Sequence, residues 1–150
     1  MLQEYAMTPL VSATFLLFFI FGIFVVHVFS ILGGWYLAFT WIDIPLHIAG
    51  GAWVASLFFY LWDNYLSQYP RMFPRWFLLV LVVGFVMAVG VFWEWFEYGY
   101  DYFFAKEKAS WRAQLGLPDT MGDLFSDFVG GLLLGWYFIC KDKNQQKKVY

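Results

Sequence analysis

Asp119-Thr-Met-Gly-Asp123-Leu-Phe-Ser-Asp127-Phe-Val-Gly-Gly131 leads without a break into the apolar stretch from Leu132 to Cys140. Its three aspartates are spaced four residues apart, which on a helix stacks them along one face. The residues that follow read as a membrane span. A charged side chain at bilayer depth costs about 2.5–3.5 kcal/mol on insertion scales. A helix carrying this stripe therefore has to supply it with a partner.

Outward from this stretch the chain keeps the same character. Of its 150 residues 62% are hydrophobic and 25% aromatic, and the charges cluster between apolar runs of about 20 residues. That run length crosses a hydrocarbon core as a helix. The expected architecture is all-α: a four-span transmembrane helical bundle forming a single domain over residues 1–150, with spans near 9–32, 43–62, 76–98 and 121–140. Membrane lipids are expected neighbours and nucleic acid is not. Cys140 is the only cysteine, so no internal disulfide can form. It reads as a small apolar residue at a helix end, with palmitoylation as the lesser alternative. The N-terminal residues carry no basic n-region, and the apolar run after Pro9 is too long for a signal peptide, so an uncleaved first span is expected.

Local signals divide the spans. Gly33-Gly34 ends the first, and Trp35 to Trp41 reads as an interfacial connection, because Trp and Tyr favour the headgroup level. Pro45 is tolerated in the first turn of the second span. Residues 63–75 form a polar turn. Asp101 to Pro118 is a longer polar loop, in which Phe103 to Leu115 could form a short amphipathic helix. Lys141, Lys143, Lys147 and Lys148 in the tail join Arg71 and Arg75 on one side, against Lys106, Lys108 and Arg112 on the other. The basic excess predicts both termini in the cytoplasm.

With that orientation the acids converge. Asp43 and His47 open the second span, Glu94 and Glu97 close the third, and Asp119, Asp123 and Asp127 open the fourth, all in the extracytoplasmic half. Two of these segments are alike: Asp43-x-x-x-His47-x-x-Gly50-Gly51 and Asp123-x-x-x-Asp127-x-x-Gly130-Gly131. The match suits two repeated helical hairpins, with chance as the even alternative. Its glycine pairs would let backbones approach closely. Gly22, Gly84 and Gly90 read as close-packing positions as well, His27 as a packed helix contact, and Trp93, Trp95 and Tyr98 as interface anchors.

So many carboxylates at one depth cannot all stay charged side by side. Bound protons, basic partners or a cation must intervene. Oxygen donors with an imidazole suit Mg²⁺, Mn²⁺, Ca²⁺ or iron, and the carboxylates suffice for two ions. Asp43, His47, Glu94, Glu97, Asp123 and Asp127 are the candidate metal ligands and acid–base groups. Arg112, Lys106 and Lys108 are candidate contacts for a lipid phosphate, and Asp119 a helix cap. Two other readings stay open. One is a proton or ion relay; the other is an accessory subunit whose acids fix helix packing. Glu94 and Glu97 count against pure capping, because they are expected at a helix C-terminal end, where negative charge is unfavourable. Whether the chain is an enzyme is left open, as is its assembly with itself or another subunit.

Asp43-x-x-x-His47, Trp93-Glu94-x-x-Glu97 and Asp119-Thr-x-x-Asp123-x-x-x-Asp127-x-x-Gly130 together resemble the VanZ-like group of small bacterial membrane proteins and the related inner-membrane proteins of the YjdF kind. The resemblance covers roughly residues 40 to 136. It implies a four- or five-span fold, a place in the cell envelope, and an association with glycopeptide resistance. A lipid-linked or glycopeptide-like ligand would follow from it.

Overall fold

The computed structural model describes residues 9–39, 41–66, 73–105 and 113–146. The described residues form five helices and no strand: α1 (Ala13–Leu32), the short α2 (Trp35–Ala38), α3 (Asp43–Tyr65), α4 (Arg75–Phe104) and α5 (Leu117–Gln146). Four of these, with α5 counted over Leu117–Lys141, are long and apolar enough to cross a membrane. The protein is a four-span helical bundle.

Local chemistry sets the helix ends. Ser12 caps α1, its hydroxyl accepting from the Phe15 amide at 3.1 Å. Gly34 takes a positive φ of 66° between α1 and α2, a conformation open to a residue without a Cβ. Gly116 does the same, at 112°, just before α5. Pro45 and Pro118 lie in first turns, where the missing N–H removes no helical bond.

Three spans exceed their expected bounds, the second running to Tyr65 and so taking the first residues of the expected polar turn. The third continues past residue 98 to Phe104, absorbing Phe103 and Phe104 from the expected loop helix. Residues 113–116 are not helical, and 106–112 lie outside the described residues. The fourth span begins at Leu117 rather than at 121 and runs on to Gln146. Aromatic residues of Trp95 to Phe104 and the polar start of α5 carry both helices beyond their most apolar cores. Glu94 and Glu97 therefore sit well inside α4, not at its C-terminal end.

The most extensive packing is between α3 and α5, with α4 against both and α1 against α3. α3 and α5 run parallel: Gly51 meets Asp127, Gly130 meets Ile48, and the Phe59 and Phe138 rings meet farther along, tilted, with centroids 5.3 Å apart. A Cβ on Gly51 would drive into the Asp127 carbonyl, and one on Gly130 into the Ile48 carbonyl. Gly131 meets Val86 and Gly90 meets the Asp127 carboxylate, which seats α4 antiparallel to α5. Without a hydrophobic force between helices in lipid, such close approach supplies the packing. Gly22 and Gly84 do not share this role: a Cβ on either would touch nothing within 4 Å. They point away from every described helix.

One end of the bundle is apolar, built from Val54, Ala55, Phe59, Leu78, Val82, Val86, Phe138 and Ile139. α1 and the residues before it are tied to α3 by two bonds, the Trp53 indole donating to the Leu16 carbonyl at 2.9 Å and the Leu10 amide to Asp63 Oδ2 at 2.9 Å. Its other face, with Leu17, Phe18, Phe21 and Phe24, is exposed as lipid contact requires. The polar residues gather at the opposite end.

Candidate metal centre

The crossing of α3 and α5 brings the two similar motifs face to face. Successive turns of α3 present Asp43 and His47, and successive turns of α5 present Asp123 and Asp127. The imidazole sits among the three carboxylates. Its Nε2 lies 3.7 Å from Asp43 Oδ1 and 3.7 Å from Asp123 Oδ1, and its Nδ1 lies 3.4 Å from Asp127 Oδ1. His47, Asp123 and Asp127 are buried, while Asp43 is partly exposed. The glycines make this possible, since bulk at Gly51 or Gly90 would expel Asp127 from its place.

α4 closes the site from the third side. Glu94 is 4% exposed, as is Asp123, and one carboxylate oxygen of each is buried with no hydrogen-bond partner among the described residues: Glu94 Oε1 and Asp123 Oδ2. A buried carboxylate oxygen without a donor is costly. Glu97 is held by the Trp93 indole, which donates to its Oε1 at 2.9 Å. Trp93 thus does more than anchor an interface.

The remaining acids have other partners. Asp101 accepts from the Ala113 and Gln114 amides at 2.8 and 3.1 Å, pinning the residues before α5 over the site. Asp119 is not the cap itself. It lies in the first turn of α5 and reaches back to accept from the Leu115 amide at 2.8 Å, in the manner of the acidic half of a capping box. The Gln114 amide group donates to Glu94 Oε2 at 3.2 Å and to the Thr120 hydroxyl at 2.7 Å. Reasoning from ionisable residues passed over Gln114 and Thr120; a lone amide in a polar loop gives no sign in one dimension of which acid it meets. Lys106, Lys108 and Arg112 fall outside the described residues, as do Arg71, Lys147 and Lys148.

His27 makes the packed contact expected of it, its Nδ1 sharing a 2.7 Å hydrogen bond with the Tyr36 hydroxyl. Burial pushes the Tyr36 phenol above its ordinary range, and the nearby carboxylates of Asp43 and Glu97 push the same way, so it stays protonated.

The family described as "Predicted membrane protein (DUF2238)" matches residues 2–144. The chain belongs to the DUF2238 family. No curated protein and no solved structure matches it.

Among the described residues of this DUF2238 chain, two donor sets are compact enough for a metal ion. Asp43, His47 and Asp123 form one, Glu94, Glu97 and Asp123 the other, with the donor atoms of each within 4.8 Å of one another. Oxygens on opposite sides of a hard divalent cation lie about 4–5 Å apart, twice a bond of roughly 2.0–2.6 Å. The 3.7 Å separations around His47 Nε2 are too long for hydrogen bonds and suit donors that share one ion. The residues could hold a metal ion. Asp127 belongs to neither set; it faces the far nitrogen of the imidazole.

Proposed function

We propose that this integral membrane protein holds divalent cations in its buried carboxylate–histidine cluster and, through them, binds or acts on an anionic ligand at one membrane face. The observation that carries the reading is the pair of orphaned oxygens, Glu94 Oε1 and Asp123 Oδ2, buried in a cluster otherwise made of acids. Neither could stay buried there unpaired; each needs a cation or a bound proton. Oxygen-dominated donors with one imidazole favour Mg²⁺, Mn²⁺, Ca²⁺ or iron over a thiolate metal. Asp43, His47, Glu94, Glu97 and Asp123 would be the ligands. The basic residues Lys106, Lys108 and Arg112 would draw the anionic group toward the site. The resemblance to VanZ-like proteins favours an envelope ligand, lipid-linked or glycopeptide-like, with the termini in the cytoplasm and the cluster on the extracytoplasmic side of the inner membrane.

A relay of protons or ions is less well supported. Among the described residues no acid or imidazole lies on α3, α4 or α5 between the cluster and Asp63 at the other end. A second reading does have an observation in its favour. Asp101 and Asp119 spend their carboxylates on backbone amides, as acids in a purely structural network would. Metal analysis of the purified protein separates the two. Wild type should carry a divalent metal that Asp123→Asn and Glu94→Gln lose or weaken while remaining folded. Metal-free wild-type protein, with variants that lose stability, would leave only the structural role.

A further inference from the structure

We infer that the centre is binuclear, with Asp123 as the carboxylate bridge between two divalent cations; this rests on the metal-binding reading above. Asp123 is the one residue common to both donor sets. Its two oxygens have different surroundings. Oδ1 faces His47 Nε2 at 3.7 Å, on the side of Asp43, whereas Oδ2 is buried without a partner, as is Glu94 Oε1. One ion lies among Asp43, His47 and Asp123, and the other among Glu94, Glu97 and Asp123. A shared carboxylate suits the short separation of about 3.5–4 Å found in two-metal sites.

The donor count points the same way. A single ion among Asp43, His47 and Asp123 would leave Glu94 Oε1 buried without a partner, whereas a second ion among Glu94, Glu97 and Asp123 gives it one. Asp119 and Asp101 stand outside both sets, because their carboxylates are engaged by backbone amides.

The test is Mn²⁺ titration of chelator-stripped protein in lipid nanodiscs, with bound metal counted and its electron paramagnetic resonance spectrum recorded. About two Mn²⁺ per chain with an exchange-coupled multiline signal is expected. Glu97→Gln should weaken one of the two by roughly tenfold or more and leave an uncoupled six-line spectrum. Asp123→Asn should abolish the coupling. One Mn²⁺ per wild-type chain, or two without coupling, overturns the binuclear assignment while the metal reading stands. No bound Mn²⁺ overturns both. The wild-type count and coupling decide the matter even if a variant fails to fold.

Discussion

His47 and Asp127 face each other across the α3–α5 crossing, with the imidazole Nδ1 3.4 Å from Asp127 Oδ1. This leaves Nε2 directed at Asp43 and Asp123. A histidine that ligates a metal through one nitrogen commonly gives its other N–H to a carboxylate, which fixes tautomer and ring orientation. On the metal reading proposed above, Asp127 would fill that position as a positioning residue rather than a ligand. Asp127→Asn keeps the shape and removes the charge. It should lower divalent affinity by about 10–100-fold while preserving the number of ions bound. Isothermal titration with Mn²⁺ checks this, and loss of a whole ion would make Asp127 a ligand after all.

The glycines give a contrast within one family of substitutions. Gly51→Ala and Gly130→Ala put a Cβ into the backbones of Asp127 and Ile48, with no flexible side chain to yield. Each should destabilise by about 1–3 kcal/mol or more. Gly22→Ala and Gly84→Ala meet open space and should be neutral or stabilising by up to about 1 kcal/mol, through the better helix propensity of alanine. Unfolding in detergent with rising denaturant measures both. Equal effects at all four positions would contradict the crossing described here.

Asp101 tests the clamp over the site. Replacing it by alanine frees the Ala113 and Gln114 amides and should raise their hydrogen exchange by about tenfold or more, a local cost of at least ~1.4 kcal/mol. Exchange in the apolar end of the bundle, around Phe59 and Val82, should not change.

Glu94→Gln should act in opposite directions with and without metal. In chelator the variant replaces a buried acid whose Oε1 has no partner, while Gln can still accept from Gln114, so stability should rise. With divalent cation present, wild type should gain about 2.7 kcal/mol at a hundredfold excess over its dissociation constant. The variant should gain less. Thermal shifts with and without chelator give both signs in one experiment.

Composition and run length were sufficient for the four spans, and residue depth was sufficient to assemble the acids. Asp43, His47, Glu94, Glu97, Asp123 and Asp127 do come together at one end. Other assignments failed where a neighbour decides the outcome. Gly22, Gly84 and Gly90 look alike in one dimension, yet only Gly90 lies against another helix. Asp119 has the spacing of the stripe, but its carboxylate turns back to Leu115. Gln114 gives no signal until Asp101 folds its loop over Glu94.

The division has a physical basis. A bilayer acts on each segment separately, through its own length, polarity and backbone hydrogen bonds, so helices and the depth of their charges can be read locally. Between helices lipid supplies no hydrophobic force, and partners are chosen by close contact. Gly51 against Asp127 and Gly130 against Ile48 set the crossing. That crossing separates Asp127, behind the imidazole, from Asp123, which stands between two sets of donors.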